Sequence, residues 1–151
     1  MSLLSDLYSE IILEHYKQPH NFGELEGAEI EAKGYNRSCG DDLRIFVKLN
    51  DGVIEDLRFM GKGCAISQSS ASMMTDQMIG KSLEEVKEFV EEFRKMVTGE
   101  KNFLEGGGFE ELVTLKGVKK YPTRVKCASL AWDTLKEGIS DFEARNNGSA
   151  T

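Results

Sequence analysis

Leu4, Leu7, Tyr8, Ile11, Ile12 and His15 recur at three- and four-residue steps, which predicts an amphipathic helix stopped before Pro19. The period then changes. Glu29 to Tyr35 suits a first short strand, and Leu43, Ile45, Val47 and Leu49 alternate with polar Arg44 and Lys48. Asn50-Asp51-Gly52 supplies residues that tolerate the positive φ of a hairpin turn, and Val53, Glu55, Leu57 and Phe59 form the returning strand. After Gly61-Lys62-Gly63, a helix is expected to open at Cys64 and run to about Ile79, with Gly80 ending it. Its small residues, Ala65, Ser67, Ser69, Ser70, Ala71 and Ser72, allow close packing, and Met73, Met74 and Met78 read as core. Ser82 and Glu85 make a capping box for the next helix, whose apolar face is Val86, Phe89, Val90, Phe93, Met96 and Val97. The glycine-punctuated stretch from Thr98 to Gly117 reads as an insertion or extended loop, with a short helix over Phe109 to Leu115. A last helix is expected from Thr123, as cap, to Ile139, with Gly138 near its end. The polar segment Glu143 to Thr151 is expected to be a disordered tail.

Runs of strands followed by runs of helices predict an α+β fold: a small antiparallel sheet of about three strands packed against helices, in one domain over residues 1–142. A chain of 151 residues buries about 70% of its unfolded surface and needs neither disulfide nor metal to hold a core. No apolar run reaches the roughly 20 residues of a membrane span, and Asp6, Glu10 and Glu14 make the N-terminal helix unlike a secretory leader. A cytoplasmic protein is expected. The net charge of −7 argues against nucleic acid, which calls for a basic face.

The chemistry lies in three cysteines. Cys39 sits in Asn36-Arg37-Ser38-Cys39-Gly40-Asp41, Cys64 in Gly61-Lys62-Gly63-Cys64-Ala65, and Cys127 in Arg124-Val125-Lys126-Cys127-Ala128. A structural cysteine sits in an apolar run; these have Gly, Lys, Arg or Asp as neighbours, the setting of reactive or metal-binding thiols. An odd number cannot pair fully within the chain. Cys64 and Cys127 fall near expected helix starts, where unpaired N–H groups favour thiolate, and Lys62, Arg124 and Lys126 add to that where they point inward. A tetrahedral soft-metal site needs a fourth donor. Asp41 is the first candidate, two residues from Cys39 and so on the same side of an extended chain; Asp42 projects the other way. His15 and His20 are alternatives from the N-terminal region, and Asn36 and Gln68 would be unusual ligands. Zinc and an iron–sulfur cluster both accept three thiolates and a carboxylate, and the carboxylate makes either site more labile. The plainer readings are inert buried thiols, solvated lysines and arginines, and a solvated face over Glu84 to Glu92. Gly106-Gly107-Gly108 has no strand before it and no following Gly-Lys-Ser/Thr, so it is no phosphate loop.

These motifs resemble the U-type iron–sulfur assembly family, which comprises IscU, SufU and the N-terminal domain of NifU. The resemblance spans nearly the whole chain, from Glu14-His15-Tyr16-Lys17-Gln18-Pro19 through Cys39-Gly40-Asp41 and Gly61-Lys62-Gly63-Cys64-Ala65-Ile66-Ser67 to Lys126-Cys127-Ala128. Lys126, where IscU-like members carry His, and the insertion from Thr98 to Gly117 both favour the SufU type. Arg37 departs from the family's usual Pro. The resemblance implies a SufE/NifU-like fold. It implies zinc on Cys39, Asp41, Cys64 and Cys127, with Cys39 accepting persulfide sulfur from a cysteine desulfurase and Arg124 and Lys126 stabilising the sulfur's charge. For an IscU-like member it implies that the same four residues assemble a transient [2Fe-2S] cluster for an apo acceptor or carrier protein.

Overall fold

A computed structural model describes residues 9–100 and 109–149. The order of elements is α1 (Glu10–Lys17), β1 (Ile30–Asn36), β2 (Asp41–Asn50), β3 (Val53–Lys62), α2 (Ala65–Met78), α3 (Leu83–Thr98), α4 (Glu110–Val113), a 3-10 segment (Thr114–Lys120) and α5 (Pro122–Ser149). The strands form one antiparallel sheet in the order β1-β2-β3. The α+β expectation therefore holds. The β2–β3 turn places Asp51 and Gly52 at φ 53° and 75°, the left-handed pair that a two-residue hairpin requires.

Leu43, Ile45, Val47, Leu57 and Phe59 face the helices and are fully buried. Helix α2 is the central element: from Ile66 to Thr75 every residue is buried. A helix so rich in serine is tolerated there because its hydroxyls are satisfied. Ser69 donates to the Ala65 carbonyl at 2.6 Å; Ser70 donates to the Ala128 carbonyl at 2.6 Å and accepts from Trp132 Nε1 at 2.9 Å. Trp132 stacks on Phe93 with ring centroids 4.3 Å apart, which ties α5 to α3. The capping box of Ser82 and Glu85 forms as expected, and Gly99 closes α3 in the left-handed conformation.

The C-terminal half departs from the sequence reading. Pro122 starts α5, its missing N–H costing nothing at a first helical position, so Thr123 lies inside the helix and is not its cap. Gly138 does not end the helix. A Cβ there would stand 2.9 Å from Ala32 Cβ and 3.0 Å from Ile30 Cγ2, so this glycine lets α5 press onto β1. The segment from Glu143 to Ser149, expected to be disordered, is helical; Phe142 packs on the core and Glu143 pairs with Lys87 at 2.8 Å. The short helix expected over Phe109 to Leu115 is present as α4, with Leu112 buried, and the 3-10 segment that continues it runs past Gly117 and buries Leu115 and Val118. Leu4, Leu7, Tyr8 and Gly106 to Gly108 lie outside the described residues. No helix among those described is long and apolar enough to cross a membrane.

Candidate functional site

Three chain segments end at one edge of the sheet. The β1–β2 turn carries Cys39 and turns at Gly40, φ 69°, so that Asp41 opens β2. The β3–α2 junction carries Cys64, which is the N-cap of α2 and whose Sγ accepts the Ser67 N–H at 3.5 Å. The first turns of α5 bring in Cys127.

The thiols meet there. Cys127 Sγ lies 2.8 Å from Cys39 Sγ, and donor atoms of Cys39, Asp41 and Cys127 all fall within 4.8 Å of one another. Cys64 stands beside this group, its backbone N–H on the Asp41 carboxylate at 2.9 Å and its thiol coupled to that of Cys127. Arg124 closes one side, with Nη1 at 3.9 Å from Cys39 Sγ and 4.0 Å from Cys127 Sγ. Cys127 is buried, while Cys39 and Cys64 are partly open to solvent.

Asp41 is 2% exposed, and its carboxylate is fully engaged. Oδ1 accepts the Cys64 backbone N–H at 2.9 Å and the Ser67 hydroxyl at 3.0 Å; Oδ2 accepts Asn36 Nδ2 at 3.3 Å. Asn36 Nδ2 also donates to Cys127 Sγ at 3.5 Å. Gly63 makes this approach feasible, because a Cβ there would lie 2.5 Å from both Asp41 Oδ1 and Ser67 Oγ.

One proton divides the thiols. The Cys127 hydrogen bond, assisted by the Ser67 N–H, brings Cys64 down to about 6 against the opposing effect of burial. The same hydrogen bond, together with burial and Cys39, pushes Cys127 strongly up. Of the two, Cys64 is the more readily ionised thiol. The helix-start argument holds for Cys64 and fails for Cys127, which is the sixth residue of α5 and sits beyond the first turn's free N–H groups.

The four residues singled out in the sequence are gathered, with Arg124 beside them. Lys126 is exposed and lines a neighbouring cleft with Tyr35, Arg94 and Asp133. His15 and His20 stand apart from the thiols, bonded to Ser72 and Asp76 farther along α2. Asn36, Ser67 and Gly63 were not foreseen as supports of Asp41. Their only sequence signal is proximity to Cys39 and Cys64. Cys39, Asp41 and Cys127 form a donor group that could hold a metal ion, and thiolates with a carboxylate suit zinc or thiolate-bound iron.

The model of the NifU-like N terminal domain matches residues 7–149. A Thermotoga maritima protein named iron-sulfur cluster assembly scaffold protein IscU is 44% identical over 133 residues, covering 88% of this chain and 92% of that protein. The zinc-dependent sulfurtransferase SufU of Bacillus subtilis is 38% identical over 143 residues, covering 95% of this chain and 96% of that protein. The crystal structure of the N-terminal part of a NifU-like protein from Brucella abortus has a TM-score of 0.86 at 26% identity, covering 95% of this chain and 99% of the other. With its thiol–carboxylate centre in the same fold, this chain belongs to the NifU-like N-terminal-domain family of iron–sulfur cluster assembly scaffold proteins.

Proposed function

We propose that this protein accepts sulfur on Cys39 from the persulfide of a cysteine desulfurase, at a zinc centre formed by Cys39, Asp41, Cys64 and Cys127, and passes it on to cluster assembly. The observation that carries this reading is the position of Cys39: partly exposed, on a short turn, with the Arg124 guanidinium 3.9 Å from its sulfur. Zinc, when bound, keeps its thiols deprotonated and less nucleophilic and orders the loops that hold them. Cys39 is the member free to swing out on its turn, while Cys64, Cys127 and Asp41 are held by α2, α5 and β2. The Cys39 sulfur attacks the outer sulfur of the donor persulfide. A new S–S bond forms on Cys39, the donor's S–S bond breaks, and the donor cysteine leaves as thiolate. Arg124 offsets the negative charge on the transferred sulfur, and Lys126, on the exposed side of α5, draws the incoming anion from the rim. The name of the Bacillus subtilis relative supports the zinc and sulfur-transfer parts. The partners are then a cysteine desulfurase and an apo iron–sulfur acceptor or carrier protein. Three free thiols suit the reducing cytoplasm.

The test is desulfurase turnover with cysteine and zinc-loaded protein. Cys39→Ala is expected to abolish the stimulation and Arg124→Gln to lower it about 100-fold with zinc retained, the scale of losing one charge-stabilising donor. Stimulation that survives Cys39→Ala overturns the acceptor assignment.

A second reading is favoured by the scaffold name of the Thermotoga maritima relative. In it the same four residues hold a transient [2Fe-2S] cluster. Anaerobic reconstitution with iron and sulfide separates the two, since a scaffold yields a visible chromophore transferable to an apo acceptor.

A further inference from the structure

Two to three turns down α2 from the thiols, a different donor set meets. Ser72 and Asp76 follow Cys64 by eight and twelve residues, which sets them about 12 to 18 Å along the helix axis. Facing them are His15 of α1 and His20 of the segment after it. Donor atoms of His15, His20 and Asp76 all lie within 4.8 Å of one another. We infer that these three side chains form a second metal site, for a divalent transition ion of imidazole preference such as zinc, nickel or cobalt, separate from the thiolate centre.

The hydrogen bonds around the trio are arranged as metal-binding histidines require. His15 is 3% exposed. Its Nε2 meets Glu111 Oε1 at 2.9 Å, and a carboxylate can only accept, so the proton is on Nε2. That leaves Nδ1 as an acceptor, which takes the Ser72 hydroxyl at 2.7 Å, and Ser72 Oγ in turn accepts the His20 backbone N–H at 2.8 Å; a bound ion takes the place of the Ser72 hydroxyl at Nδ1. A histidine whose second nitrogen donates to a carboxylate, with the first left as the donor atom, is the outer-shell pattern of metal-ligating imidazole. His20 Nδ1 lies 2.5 Å from Asp76 Oδ2, and a bound ion takes the place of the hydrogen bond between them. Asn21 Nδ2 holds the other oxygen of Asp76 at 3.2 Å and bonds Thr75 Oγ1 at 3.0 Å, which fixes the carboxylate's orientation. His20 and Asp76 are exposed, so solvent completes the coordination and the ion has an entry path. Three protein donors and an open position describe an accessible site, in contrast to a closed structural one. Its ligands bind α1 and the segment after it to α2, and Glu111 extends the connection to α4.

The experiment uses tag-free protein carrying one equivalent of zinc on its thiols, titrated with cobalt(II). One further equivalent is expected, with weak visible d–d bands and no intense thiolate-to-cobalt charge-transfer band in the near ultraviolet. His20→Ala and Asp76→Asn are expected to weaken that second equivalent at least tenfold while leaving thiol-bound zinc at one per chain. Both residues are exposed, so thermal melting of the zinc-loaded variants checks that the fold survives. Absence of a second equivalent, or its retention in both variants, overturns the inference. Zinc on the thiols and desulfurase stimulation are read separately, so failure here is distinct from failure of the sulfur-acceptor proposal.

Discussion

The Asp41 carboxylate accepts the backbone N–H of Cys64 at 2.9 Å, so the residue expected to bind metal also holds the start of the helix that carries another of the three thiols. Truncating Asp41 removes an acceptor from three donors: the Cys64 N–H, which is left unpaired, the Ser67 hydroxyl, which keeps the Cys64 carbonyl at 3.1 Å, and Asn36 Nδ2, which keeps Cys127 Sγ at 3.5 Å. All three are at least partly buried, and a buried donor left unpaired costs about 1–3 kcal/mol. Asp41→Ala is therefore expected to destabilise the metal-free protein by about 2 kcal/mol, read as a lower urea midpoint at unchanged slope. An unchanged midpoint would show that the carboxylate serves the metal alone.

Gly63 is the second dependency of that carboxylate. An alanine methyl would meet Asp41 Oδ1 and Ser67 Oγ at 2.5 Å, well inside contact distance. The neighbours are side chains, so the fold survives while Asp41 is turned away from the sulfurs. Gly63→Ala is expected to lower zinc affinity about 10- to 100-fold, the usual effect of disturbing what orients a ligand. Competition against a chromophoric chelator measures it; wild-type affinity would show that Asp41 is not a ligand.

The sheet, α2 and α3 were legible because each combines a clear period with a local stop or cap: Asp51-Gly52 for the hairpin, Cys64 and Ser82 for the helix starts, Gly80 for a helix end. The cysteines were legible as a group through their polar, glycine-flanked settings. What the sequence concealed depends on long-range contact. Nothing near Cys127 says that Cys39, 88 residues away, is its neighbour, and nothing near His15 points to Glu111. The last helix was misjudged because Thr123 and Gly138 are strong local punctuation. Pro122 is permitted at a first helical position, and Gly138 is set by the sheet it presses against.

That account of Gly138 has a measurable consequence. In an isolated helix, Gly→Ala gains about 1 kcal/mol. Here the new methyl would approach Ala32 Cβ at 2.9 Å and Ile30 Cγ2 at 3.0 Å, contacts anchored on β1. Overpacking of this kind costs about 1–3 kcal/mol, so Gly138→Ala is expected to be net destabilising by about 1 kcal/mol, seen as a lower melting temperature. A stabilised variant would mean that α5 and β1 separate readily.

The thiol pair gives the protein a pH signature. Cys64 sits at about 6 in the fold against an ordinary 9.0, because Cys127 hydrogen-bonds to its thiolate. Its contribution to stability is therefore complete above pH 9 and is lost as pH falls from there through about 6. Cys127 is raised above its ordinary 9.0, so its contribution has the opposite sign: complete below that pH and lost above it. Metal-free protein is expected to gain stability between pH 6 and 9 and to gain no more above. In the same window Cys64 should react with iodoacetamide along a titration centred near pH 6, while buried Cys127 stays protected. Cys127→Ser weakens the hydrogen bond that holds Cys64 down, so the alkylation midpoint should rise toward 9. Peptide mapping of the alkylated protein across pH reads both cysteines in one experiment. A Cys64 midpoint already near 9 in the wild type would show that the two sulfurs do not share a proton.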